Sequence, residues 1–140
     1  MQTQFEGPIS GQIEVQVFES GGSAPSNIIR LDRDLLVKTI LRLESSPETI
    51  RLEALPKKIG KLVAHFYLES LGPGGDYDLP ALEEPWQTGK NIYEFQVSLP
   101  SEHLGMGVFR VAAVITARDE NGDSLPIAWY TDGVVLQTYA

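Results

Sequence analysis

Cysteine is absent from the 140-residue chain, and with it go disulfides, thiolate catalysis, iron–sulfur clusters and cysteine-ligated zinc. Basic residues are scarce: 11 Lys and Arg against 19 Asp and Glu leave a net charge of −8. Such a balance repels phosphate backbones and anionic lipid, which argues against nucleic acid and membrane surfaces as partners. Histidine occurs twice, at His65 and His103, so imidazole chemistry has two candidates. No window approaches the 18 or more apolar residues of a membrane span, and the opening MQTQFEGPISGQ lacks the basic segment and apolar run of a signal peptide. The expected location is cytoplasmic.

What remains is globular in composition, with 42% apolar and 21% charged residues. The length suits one domain over residues 1–140, with a radius of gyration of about 14 Å.

Its dominant signal is period two, which sends alternate side chains to opposite faces of a strand. Ile13, Val15 and Val17 alternate with Glu14 and Gln16. Val37, Thr39, Leu41 and Leu43 form the more apolar set of the next run. In KLVAHFYLES the set Leu62, Ala64, Phe66 and Leu68 opposes Val63, His65 and Tyr67. NIYEFQVSLP turns Tyr93, Phe95, Val97 and Leu99 inward, and GVFRVAAVITAR offers Phe109, Val111, Ala113, Ile115 and Ala117 to a core. VVLQTYA closes the chain. A helix over 28–43 is compatible with its Leu, Arg and Lys content, but β-branching and alternation favour strand. PSEHLG, residues 100–105, reads as one helical turn.

Between the runs stand GGSAPSN, SSPE, GPGGD, EEPW, NG and TDG, all rich in turn formers. About seven short strands punctuated this way predict an all-β fold, an antiparallel two-sheet sandwich. The segment 72–90 is long for a connection in a compact domain and is expected to be a binding or mobile loop.

GMGVFRVAAVITA followed by GVVLQTY resembles the last two strands of an immunoglobulin-like or fibronectin type III-like sandwich, and YLESLGPGG is similar to small uncharacterised bacterial proteins of such a fold. The likeness implies an architecture and no activity. It lacks the cysteine pair, and Phe109 stands where a tyrosine corner is expected, so that hydroxyl bond cannot form.

RDENGDSLPIAWY, residues 118–130, carries two readings. Asp119, Asn121 and Asp123 alternate as in a calcium loop, but from Asp119 the sixth and twelfth positions are Ser124 and Tyr130 where an EF-hand needs glycine and glutamate. Asn121-Gly122 is a hairpin signal suited to a type I′ turn. The hairpin is the preferred reading, with no cofactor. The alternative is a calcium site at the sandwich end, built from Asp76, Asp78, Asp119 and Asp123, as paired loop aspartates do in proteins resembling C2 domains.

Catalysis has thin support. Ser101 and His103 are two apart, no G-x-S-x-G elbow exists, His65 reads as a surface strand residue, and GPGGD is no phosphate cradle. A small hydrolase is therefore an alternative and a non-catalytic module the expectation.

With Asn121-Gly122 as the two turn residues, Arg118 would pair with Leu125, Thr116 with Ile127 and Val114 with Trp129, and a second turn at Asp132-Gly133 would pair Trp129 with Leu136. Val114, Leu125, Ile127, Trp129 and Leu136 would then point away from the core. Each large side chain left wet forgoes about 1.5–3 kcal/mol of burial. The amino-terminal segment around Phe5 and Ile9, the long loop with Trp86, or another molecule should cover them. A one-residue bulge, for which Pro126 is a plausible place, would reverse the faces. The expected function is a protein-interaction or scaffold module, possible as a homodimer through this face.

Overall fold

Alternation along the chain resolves into two sheets. The computed structural model describes residues 3–6, 11–44, 58–72, 75–87 and 89–140. Its strands are β1 (Thr3–Glu6), β2 (Gly11–Glu19), β3 (Ile28–Arg30), β4 (Asp34–Leu43), β5 (Ile59–Ser70), β6 (Tyr77–Asp78), β7 (Leu82–Pro85), β8 (Ile92–Pro100), β9 (Gly107–Asp119), β10 (Ser124–Thr131) and β11 (Val134–Tyr139). The seven long ones, β2, β4, β5, β8, β9, β10 and β11, are the alternating runs of the sequence. The other four are pieces of two to four residues, too short to show a period.

The smaller sheet is β2-β4-β8, antiparallel throughout. In the larger sheet β9 is central: β5 lies along one edge, while β10 and then β11 share the other. β1 extends the sheet beyond β10, β6 and β7 flank β5, and β3 runs parallel to β11 in an otherwise antiparallel arrangement. The inner faces meet in one core that includes Ile13, Val15, Leu41, Phe66, Tyr93, Val111, Ile115 and Trp129. This is an all-β sandwich. Residues 28–43 hold β3 and β4, and PSEHLG supplies a 3-10 turn at Ser101–His103. No helix among the described residues is long and apolar enough to cross a membrane.

The corner at Asn121-Gly122 is a hairpin, but not of the expected type. Asp119 N–H donates to Asp123 O at 2.8 Å and Gly122 N–H to Asp119 O at 3.0 Å, which leaves Glu120, Asn121 and Gly122 as a three-residue loop. Gly122 has φ +87°, and no described non-glycine residue has positive φ; a type I′ turn would require it at Asn121 as well. One added loop residue sends every following side chain to the other face. Ser124 therefore opposes Arg118, and Trp129 opposes Ile115 rather than Val114.

An irregularity does fall around Pro126, where four residues of β10 pass two of β9. An even excess leaves the faces as the loop set them. Asp132-Gly133 is no hairpin turn either: β11 continues along β9, pairing Leu136 with Phe109 and not with Trp129. From Tyr130↔Val114 to Val134↔Val111 the β10–β11 line advances four residues against three, a one-residue bulge that returns Leu136 and Thr138 to the inner face.

The outward set is thereby corrected. Leu125, Ile127, Trp129 and Leu136 are all buried in the protein's own core; of the five residues named, only Val114 lies on the outer face, half-buried. The long loop is corrected too. Its β6 and β7 pair with β5, and Trp86 stacks on Tyr93 with ring centres 5.7 Å apart.

Candidate functional site

Three places bear on function: the hairpin end, the residues with catalytic chemistry, and the sheets' outer faces.

At the hairpin end the Asp119 carboxylate is buried, and its Oδ1 accepts the N–H groups of Asn121 at 2.8 Å and Asp123 at 2.9 Å. Arg118 donates to Gly122 O at 3.0 Å. Asp119 therefore closes the turn as a side-chain cap, as aspartate does in tight turns. Asp76 has a similar task elsewhere, accepting the Ser70 N–H at 2.9 Å, and Asp78 lies opposite Tyr67. Ser70 pairs with Phe109 and Ile59 with Asp119, at opposite ends of β9. That separation is roughly 30 Å at ~3.3 Å per residue. The proposed grouping of Asp76, Asp78, Asp119 and Asp123 is thus not formed, and among the described residues no three His, Cys, Asp or Glu side chains gather as metal ligands.

Ser101 and His103 share the 3-10 turn, but Ser101 is buried with its Oγ unpartnered while His103 is exposed. The base therefore does not hold the hydroxyl. His65 is half-buried on the outer face of β5, stacked on Tyr67 at 6.3 Å and opposite Val114.

Tyr93 anchors the end of β8 from within the core. Its hydroxyl accepts the Gln87 N–H at 3.0 Å and donates to Gln87 O at 3.3 Å, with Lys90 Nζ 4.8 Å from the ring centre. Burial pushes its pKa above the ordinary tyrosine value; the Gln87 backbone bond opposes this and the Glu84 charge reinforces it.

The two outer faces differ in kind. On the smaller sheet long polar side chains cross-link: Arg42 to Glu14 at 3.3 Å, Lys38 to Glu94 at 3.6 Å, and Gln16 to Glu14 at 2.7 Å. Beneath them Ile40 is only 7% exposed although it faces outward. The larger sheet instead has an open apolar area at its β11 end. Leu71 N–H donates to Val108 O, and Val108 pairs with Gln137, which pairs with Ile28, so one row runs from the residue after β5 across β9, β11 and β3. Val135 stands in the next row beside Arg110, and Tyr139 in the row below beside Arg30. Met106 adjoins Gly107 at the same end. Met106 is 68%, Ile28 58% and Val135 49% exposed.

This area escaped the sequence reading because its members occupy the positions that alternation assigns to water. A signal existed: Val108, Val135 and Tyr139 are apolar at outward positions of strands whose inward set was already complete.

No family model matches the chain, and no curated protein matches it. Among solved structures it is similar to the C-terminal domain of Wzt, with a TM-score of 0.65 and 14% identity over 99% of this chain and 78% of that one. It is also similar to part of a β-glucosidase from Listeria innocua in complex with gluconolactone, with a TM-score of 0.50 and 15% identity. That match covers 93% of this chain but 16% of the glucosidase. At such identities the likeness establishes the fold alone.

Proposed function

We propose that the chain is a non-catalytic interaction module of immunoglobulin-like architecture, and that it binds a protein partner through the β11 end of its larger sheet. One observation carries this reading: Ile28, Val108, Val135 and Tyr139 are exposed at outward positions of neighbouring strands, with exposed Leu71 and Met106 next to the strand ends, whereas the smaller sheet exposes Ile92. Scattered apolar side chains are ordinary on a surface, but a contiguous area rimmed by charge marks contact sites. The non-catalytic part draws support from the inward Ser101 and the outward His103, since that hydroxyl is not held by that base.

The test is binding of the dye bis-ANS to dilute native protein. Val135→Glu and Met106→Glu are expected to reduce its fluorescence several-fold, and Ile92→Glu on the other sheet to leave it unchanged. Equal dye binding in all four proteins would count against the surface.

A further inference from the structure

We infer that the partner at this surface is a second copy of the same chain, related to the first by a two-fold axis passing between Val108 and Gln137. This rests on the surface proposed above and adds the identity of what covers it.

Size is the first argument. The six exposed apolar side chains contribute on the order of 500 Å², at the upper end of what a monomer carries uncovered. A stable interface takes about 800 Å² from each partner. The rim of Arg30, Glu69, Arg110 and Gln137 brings the face to that scale. The apolar middle and charged edge also match the usual division of an interface into core and rim.

Charge is the second. A chain with a net charge of −8 repels its own copies, so self-association needs a face without the excess. Here Arg110 lies 3.7 Å from Glu69 and Arg30 lies 2.7 Å from Asp32, two bases against two acids. Asp76, held on the Ser70 N–H beside Leu71, adds a third acid at that corner, so the rim carries only a small part of the chain's negative excess.

Symmetry is the third. A two-fold interface uses one patch twice. Glu69 on β5 and Arg30 on β3 stand at opposite corners of the patch, on either side of Val108 and Gln137. An axis in the plane of contact that exchanges these corners sets each copy's acid over the other's base. That axis passes between Val108 and Gln137, which then meet the same pair of residues on the other copy.

Analytical ultracentrifugation from micromolar to millimolar protein tests this. Wild type is expected to rise from the 15.4 kDa chain mass toward twice that value. Val135→Glu should raise the dimer dissociation constant at least tenfold, and Met106→Glu, outside the strands, should do the same without touching the fold. Ile92→Glu should leave it unchanged. Wild type that stays monomeric throughout, or a dimer indifferent to both patch substitutions, overturns the inference. A monomer whose dye binding still falls with Val135→Glu overturns the second copy alone and leaves the interaction surface standing; a monomer whose dye binding is unaffected removes both.

Discussion

Trp129 and Ile115 lie directly opposite each other on β10 and β9, both fully buried and both turned toward the smaller sheet. The pairing places the largest side chain of the hairpin in the core. Gly11 is close by: a Cβ there would lie 3.2 Å from the indole Nε1 and 2.9 Å from Arg42 O.

Trp129→Ala should therefore act as a core truncation. A loss of about 3–5 kcal/mol is expected, seen as a lower urea midpoint with little change in slope. An effect below ~1 kcal/mol, the scale of an ordinary surface substitution, would contradict the burial.

Gly133 and Gly21 separate two costs of replacing glycine. Both have positive φ, +89° and +83°, but a Cβ on Gly133 would collide with Val111 O, whereas one on Gly21 meets nothing within 4 Å. Gly21→Ala should cost only the left-handed conformation, about 1–2 kcal/mol. Gly133→Ala should cost more, because the bulge that keeps Leu136 inside requires backbone contact there. Equal melting temperatures for the two variants would refute this.

Asp119→Ala removes a carboxylate that accepts two backbone N–H groups. Charge-assisted bonds of this kind contribute about 1.5–3 kcal/mol each, so thermal unfolding should shift downward by several degrees. Millimolar calcium is expected to leave the wild-type melting temperature in place, since a bound ion would raise it by mass action. A rise on adding calcium, reversed by chelator, would restore the ion reading.

Tyr93→Phe should cost about 1–2 kcal/mol through the two lost bonds to Gln87. It also carries a pH signature. The Tyr93 pKa is raised on folding, so above the unfolded value of about 10 the unfolded chain releases this proton first. Stability from this group is thus intact below pH ~10 and declines as pH rises through the folded value. Urea titrations between pH 9 and 11 should show a shallower decline in the variant. Parallel declines would mean that the hydroxyl is not buried as described.

Much of the fold was legible in the residues. Ile13, Val15 and Val17, or Leu62, Ala64, Phe66 and Leu68, declare their inner face without reference to any other strand, and all are buried. The short edge strands were not legible, because Tyr77–Asp78 or Ile28–Arg30 have no period and are strands only through the neighbours they pair with. Of the candidate site, Val114 was placed on the correct side of its sheet and its companions were not. Leu125, Ile127 and Trp129 were misassigned by one loop residue, Leu136 by an assumed turn at Asp132-Gly133.

Local chemistry along the chain was enough to decide where the long strands run, which alternate set of residues in them is apolar, and that Gly122 makes a corner. Those properties depend on a residue and its near neighbours. Register and partnership came from the assembled fold. A count of two or three loop residues differs little in local energy, yet it sends the same strand inward or outward. That choice is made by burying Trp129 against the facing sheet, a gain no single segment can register.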